Sequence, residues 1–77
     1  MKIEVLGPGC AKCEALFARV QSMKERLALD CEIVKVTDIT EIVARGVMQT
    51  PALVVDGEVK AVGKVPTEDQ LEDLLAP

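Results

Sequence analysis

The apolar residues of this chain occur first as a short run and then at helical spacing. The run at 3–6 predicts a strand, which the Gly-Pro-Gly sequence at 7–9 ends. From Cys10 onward the apolar residues recur every three or four positions, which predicts an amphipathic helix with one buried face. That face contains Cys13, Leu16, Phe17, Val20, Met23 and Leu27.

A second strand and a short helix follow. The β-branched and apolar residues of 31–36 predict the strand. Asp38, with Glu41 three residues later, has the pattern of a capping box and predicts the start of a helix. Gly46 suits the position just after that helix, where a left-handed backbone is favoured.

The last third of the sequence predicts a hairpin and a final helix. Apolar-rich strands at 52–55 and 58–62 flank an Asp-Gly pair, which is a strong signal for a two-residue hairpin turn. Thr67 precedes the final helix, and Gln70 completes a second capping-box pattern. Three leucines of this helix, at positions 71, 74 and 75, lie at helical spacing.

The resulting order is βαβαββα, and it predicts an α/β fold. The first βαβ unit is long enough for a right-handed crossover, so its two strands should be parallel. The hairpin adds two antiparallel strands, which gives a four-stranded mixed sheet flanked by helices on both faces. We expect residues 1–77 to form a single domain.

Composition narrows the functional classes. The 77-residue chain is 49% hydrophobic, has a net charge of −4, and contains one aromatic residue and no histidine. This composition favours a folded core over disorder and argues against a nucleic-acid surface.

No apolar run is long enough to span a membrane, and the start of the chain is too short and too charged for a signal peptide. We therefore expect a cytoplasmic protein without membrane association. Structural disulfides are rare in the cytoplasm, and a missing histidine removes Cys–His pairs and mixed Cys/His zinc sites.

The Cys-Ala-Lys-Cys sequence carries the candidate chemistry. Cys10 is expected at or beside the helix N-cap, where free N–H groups and the helix dipole favour a thiolate. Cys13 lies one turn later on the same side and begins the apolar face, so it should be the more buried thiol. Lys12 adds a nearby positive charge. We expect Cys10 to attack a disulfide and Cys13 to resolve the mixed disulfide. The third cysteine, Cys31, is interpreted as a small apolar residue of the core.

Thr50-Pro51 before the hairpin, together with the CxxC at the helix start and Gly63 before the last helix, resembles the thioredoxin-like superfamily. The closer similarity is to small archaeal and bacterial redox-active disulfide proteins. In that superfamily the Thr-Pro bond is cis and packs beside the CxxC, although cis is a minority form in folded proteins. The resemblance implies that Thr50 offers backbone hydrogen bonds to an extended substrate peptide. It also implies that Pro51 keeps a backbone N–H and any metal away from the sulfurs.

This resemblance implies a protein disulfide oxidoreductase that needs no organic cofactor. Its expected partners are protein disulfides and a dithiol reductase such as a thioredoxin reductase, and a monomer is expected. The sequence departs from ordinary thioredoxin in having Gly9 before the first cysteine and Ala-Lys between the two. It also lacks the aromatic residue that glutaredoxins carry inside the CxxC.

Glu4, six residues before Cys10, is a further candidate. Ordinary thioredoxins have a buried Asp at this spacing, which implies that Glu4 assists proton transfer at Cys13. Burial in a central strand would raise its pKa. The alternative is a solvated carboxylate at the strand end that pairs with Lys35.

The alternative function is a carrier of Cu(I) or another soft metal, because two thiolates suit such ions. Small ferredoxin-like copper carriers also have a strand, a CxxC loop and a helix. Their element order is βαββαβ, and their loop carries a Met where this chain has Pro8. A structural zinc site would need four ligands, and therefore a dimer.

Overall fold

Residues 1–75, the part of the chain that the computed structural model describes, contain four strands and three helices. In chain order these are β1 (Lys2–Leu6), α1 (Ala11–Arg26), β2 (Glu32–Val36), α2 (Ile39–Ala44), β3 (Ala52–Val55), β4 (Glu58–Val62) and α3 (Glu68–Leu75). This order confirms the βαβαββα prediction. The predicted domain runs to residue 77, and its last two residues lie outside the described part. None of the described helices combines the length and the apolar character that crossing a membrane requires.

The four strands form one mixed sheet in the order β2-β1-β3-β4. β1 pairs with β2 in parallel, and β3 pairs antiparallel with both β1 and β4. The parallel β1–β2 pair and the antiparallel β3–β4 hairpin are as predicted, because a long crossover permits parallel strands and a two-residue turn joins antiparallel ones. The strand order and the β1–β3 pairing come from the structure alone. β1 is therefore an interior strand, and the loop that follows it leaves the sheet near its middle.

Two apolar clusters hold the helices to opposite faces of the sheet. On one face, α1 and α3 pack over β1 and β3, and the buried residues are Ile3, Val5, Leu16, Val20, Met23, Leu53, Val55, Ala61, Leu71 and Leu75. On the other face, α2 and the segment after it cover a smaller cluster of Leu6, Ile42, Val47, Ala52 and Val54. Successive β1 side chains alternate between these clusters, as the period of a strand requires. This alternation places Glu4 on the α2 face with Leu6.

The start of β2 and the capping contact of α2 differ slightly from the prediction. β2 begins at Glu32 rather than at Cys31, because its ladder starts where β1 starts, with Lys2 opposite Glu32. At the start of α2 the Asp38 carboxylate accepts a hydrogen bond from the Thr40 N–H at 2.8 Å. An N-cap side chain can accept a hydrogen bond from the N–H of either the second or the third helical residue, and Thr40 is the second. Asp38 therefore caps the helix as expected, without the Glu41 pairing.

The hairpin and the start of α3 follow their sequence signals closely. Asp56 and Gly57 both have positive φ, at 49° and 85°, as the favoured two-residue hairpin turn requires. At the start of α3 the Gln70 N–H donates to the Thr67 hydroxyl at 3.2 Å, and the Thr67 N–H donates to the Gln70 side-chain oxygen at 2.9 Å. This reciprocal pair is the capping box that the sequence predicted.

Candidate active site

The loop between β1 and α1 delivers two thiols to the start of the first helix. Gly7, which is buried, donates its N–H to the Val36 carbonyl at 2.9 Å and so stays tied to the end of β2. Gly9 turns the chain with a φ of 100°, a conformation that favours glycine. Cys10 then has extended dihedrals, φ −69° and ψ 168°, and is the N-cap of α1. The predicted position of Cys10 is therefore confirmed.

The two sulfurs lie together with different exposure. The Cys10 and Cys13 sulfurs are 2.6 Å apart, and the Cys13 N–H donates to the Cys10 sulfur at 3.4 Å. Cys10 is exposed, whereas only 4% of Cys13 is accessible. Both are free thiols, so the geometry is that of the reduced pair. A disulfide in solution can therefore reach the Cys10 sulfur, whereas the Cys13 sulfur, one helical turn later, is shielded from it.

The same geometry gives the two thiols different acidities. The pKa of Cys10 is lowered, first by the hydrogen bond from the Cys13 thiol and then by backbone N–H groups at the helix start. The pKa of Cys13 is raised, mainly because burial disfavours its charged form. Lys12 contributes to the lowered pKa of Cys10 through its backbone N–H. The directions of the two pKa shifts agree with the expected order of acidity, and the hydrogen bond from the Cys13 thiol is the largest single cause of the lowered Cys10 pKa.

The Thr50-Pro51 bond is cis, as the resemblance implied. Pro51 is fully buried, Thr50 is half-buried, and the Pro51 carbonyl accepts a 2.8 Å hydrogen bond from the Gly63 N–H. Thr50 and Cys13 both lie close to Gly7. A Cβ built on Gly7 would lie 3.8 Å from the Thr50 Cβ and 2.3 Å from the Cys13 sulfur. Gly63, which the resemblance singled out, therefore braces the Thr-Pro segment.

Glu4 is buried, as one of the two alternatives expected, but its pKa moves in the opposite direction to the prediction. The residue is 6% exposed, and its carboxylate accepts a hydrogen bond from the Arg45 guanidinium. This hydrogen bond lowers the pKa of Glu4 and outweighs the effect of burial. The expected rise in pKa is wrong, because Glu4 faces α2 and the arginine at its end. The alternative pairing with Lys35 is also wrong, since the Lys35 ammonium binds Glu14 at 3.0 Å.

Two contacts of the site were not foreseen from the sequence. Arg45 is separated from Glu4 by 41 residues, and no local signal links them. The Gly-Pro-Gly sequence indicates only that Gly7 belongs to a turn, whereas in the structure its missing side chain leaves room for the Cys13 sulfur. Cys31 is half-buried against the α1/α3 cluster, close to its expected role as a small apolar residue.

The fold does not support the alternative of a soft-metal carrier. The element order βαβαββα differs from the βαββαβ order of the ferredoxin-like copper carriers. Within residues 1–75, no group of three or more cysteine, aspartate or glutamate side chains could hold a metal ion. A Cu(I) site needs only two thiolates, so the element order is the observation that counts against the carrier.

Comparisons with known proteins agree with this geometry. The family model described as "Thioredoxin domain" matches residues 1–76. A thioredoxin of Methanothermobacter thermautotrophicus is 33% identical over 76 residues, which cover 99% of each chain. A thioredoxin of Methanocaldococcus jannaschii is 38% identical over 73 residues, which cover 95% of this chain and 84% of the relative. With its four-stranded mixed sheet, its paired thiols at the start of α1 and its cis Thr-Pro segment, the chain belongs to the thioredoxin family.

Proposed function

We propose that this protein is a thiol–disulfide oxidoreductase whose substrates are protein disulfides. One observation carries the proposal: an exposed Cys10 with a lowered pKa lies 2.6 Å from a buried Cys13 with a raised pKa. A thiolate is the attacking species in disulfide exchange, and it must be accessible. The arrangement therefore supplies Cys10 as the attacking sulfur and Cys13 as the sulfur that resolves the mixed disulfide.

The reaction proceeds in two exchange steps. The Cys10 thiolate attacks one sulfur of the substrate disulfide, so that an S–S bond forms to Cys10 and the substrate bond breaks. The other substrate sulfur leaves as a thiolate and takes a proton. Cys13 then loses its proton and attacks the Cys10 sulfur, which releases the second substrate thiol. The substrate gains two electrons, and the protein is left with a Cys10–Cys13 disulfide.

Substrate binding is assigned to Thr50 and Pro51. The proximity of Thr50 to Cys13 supports this assignment, because a Cβ built on Gly7 would lie 3.8 Å from the Thr50 Cβ and 2.3 Å from the Cys13 sulfur. An extended peptide laid against Thr50 would make backbone hydrogen bonds there and bring its disulfide to the exposed Cys10. The proposal also includes a dithiol reductase that returns the oxidised protein to the reduced state. Residues 1–77 would act as one monomeric domain in the cytoplasm.

A proton-transfer role for Glu4 stays a prediction. Its carboxylate is held by Arg45, and its lowered pKa makes it a weaker proton acceptor than a buried, isolated carboxylate would be. If the role exists, Glu4→Gln should slow the resolution of a mixed disulfide on Cys10 and leave the initial attack nearly unchanged. Single-turnover decay of that mixed disulfide measures this.

The reductase activity is tested by reduction of insulin with dithiothreitol. The wild-type protein should accelerate the reaction, and Cys10→Ser should not, because it lacks the attacking sulfur. Cys31→Ser is the matched control, since it removes a thiol outside the site and should retain activity. Equal rates for wild type and Cys10→Ser would show that the proposed activity is wrong.

A further inference from the structure

Gly7 lies against the sulfur of Cys13. A Cβ built on Gly7 would meet the Cys13 sulfur at 2.3 Å and the Cys13 Cβ at 3.0 Å. The first distance is far below van der Waals contact, so a methyl group and the sulfur cannot both occupy this space. The missing side chain of Gly7 is therefore the space that the Cys13 sulfur fills.

The backbone of Gly7 does not itself require glycine. The glycines with positive φ are Gly9, Gly46, Gly57 and Gly63, and Gly7 is not among these four. Gly9 shows the opposite case, because its φ is 100° and nothing lies within 4 Å of a Cβ built there. In the loop before α1, Gly9 is therefore needed for its backbone conformation, and Gly7 is needed for the space beside the Cys13 sulfur.

We propose that Gly7 is a positioning residue that fixes the Cys13 sulfur beside Cys10. Gly7 follows an interior strand directly, and its N–H is bound to the Val36 carbonyl at 2.9 Å. The backbone is thus held by its strand and by this hydrogen bond, and it cannot easily retreat from an added methyl group. The Cys13 side chain is the movable partner, and rotation about its Cα–Cβ bond carries the sulfur away from its present place.

That rotation has a chemical consequence at Cys10. The two sulfurs are 2.6 Å apart, and a rotated Cys13 sulfur loses this contact. The hydrogen bond from Cys13 is the largest cause of the lowered Cys10 pKa. Gly7→Ala therefore raises the pKa of Cys10, although residue 7 carries no charge. The proposal rests on the proposed thiol chemistry of the pair.

The first test is the pH dependence of alkylation. The reduced protein is treated with iodoacetamide across a pH series, and the modified peptides are identified by mass. In Gly7→Ala the titration of Cys10 should shift to higher pH, with a lower rate at pH 7. Gly57→Ala is the control, since it introduces backbone strain at the hairpin and nothing lies within 4 Å of its Cβ. The control should lose stability without any shift in the Cys10 titration.

The second test is a double-mutant cycle in urea. Gly7→Ala is compared in the wild-type background and in Cys13→Ala, which removes the sulfur but keeps the Cβ. The loss in unfolding midpoint should be clearly smaller in the Cys13→Ala background. If Gly7→Ala folds only when Cys13 is also replaced, the same conclusion follows.

Two results would overturn the proposal. One is an unchanged Cys10 titration in Gly7→Ala, and the other is an equal loss of stability in both backgrounds, including failure to fold in both. Neither measurement uses a substrate disulfide. A failure of the insulin assay is therefore distinguishable from a failure of this proposal.

Discussion

Replacing Glu4 by glutamine should destabilise the protein at neutral pH. The substitution keeps the shape of the side chain and removes its charge. Two opposing effects are involved, namely relief from burying a charge and loss of attraction to Arg45. The lowered pKa of Glu4 shows that its surroundings favour the charged form over the neutral form of the same side chain. A neutral isostere is therefore the less stable occupant of this position.

The expected loss of unfolding free energy in Glu4→Gln follows from the hydrogen bond between Glu4 and the Arg45 guanidinium. Hydrogen bonds to charged groups contribute about 1.5–3 kcal/mol. The glutamine oxygen can still accept from Arg45, whose side chain is 35% exposed and can also be solvated, so the lower end of that range applies. For a domain of this size, a loss of about 1.5 kcal/mol lowers the melting temperature by roughly 6–12 °C.

The same lowered pKa of Glu4 predicts how the stability difference depends on pH. A carboxylate with a lowered pKa stabilises the fold fully above its unfolded pKa of ~4.3, and this contribution is lost as pH falls through the lower folded pKa. The difference between wild type and Glu4→Gln should therefore be present at pH 7 and shrink in acid below ~4.

Urea denaturation of the reduced proteins at both pH values measures this difference. Glu14→Gln is the matched control, because Glu14 forms an exposed pair with Lys35, and such pairs contribute at most about 1 kcal/mol. If Glu4→Gln is as stable as wild type at pH 7, or more stable, the argument from the Arg45 pairing is refuted.

The other predictions concern the thiols and the core. Alkylation of the reduced wild-type protein against pH should modify Cys10 first, and early modification of Cys13 would reverse their roles. In Cys13→Ala the Cys10 titration should move to higher pH, because its largest hydrogen bond is lost; an unchanged profile would contradict that cause. Leu16→Ala should lose about 2–5 kcal/mol of unfolding free energy in urea, since Leu16 is fully buried, whereas exposed Val43→Ala should change it by less than about 0.5 kcal/mol; equal losses would contradict the assigned core. Competition with a strong chelator should show no tight Cu(I) binding, and retained stoichiometric Cu(I) would favour a carrier.

The local signals of the sequence were sufficient for the elements and their caps. The Asp-Gly turn at 56–57 and the Thr67/Gln70 capping box each depend on residues within a few positions, and both occur as predicted. The Cys10/Cys13 pair is equally local, because two residues one helical turn apart must share a side. Their relative burial followed from the apolar face of α1.

The environment of Glu4 could not be predicted in the same way. Its burial followed from the interior position of β1, but the direction of its pKa depends on which face of the sheet it joins. That choice is decided when α1 and α2 pack on opposite faces, and it brings Arg45 to a residue 41 positions away. The spacing from Cys10 alone contains no information about this arginine.

The fit between Gly7 and the Cys13 sulfur is a similar case. A Gly-Pro-Gly sequence indicates a turn, and either glycine could be the one with positive φ. Only the folded backbone shows that Gly9 takes that conformation and that Gly7 lies against a side chain of α1.

The central claim, that Cys10 and Cys13 form a reversible redox pair, is tested most directly by a redox titration. The oxidised protein is equilibrated in a series of dithiol/disulfide buffers, remaining thiols are trapped by alkylation, and the protein is mapped by mass. The account predicts that two thiols disappear together in one transition, that the bridge joins Cys10 to Cys13, and that Cys31 stays alkylated throughout. A bridge through Cys31, or a Cys10–Cys13 pair that remains reduced across the series, would contradict the account.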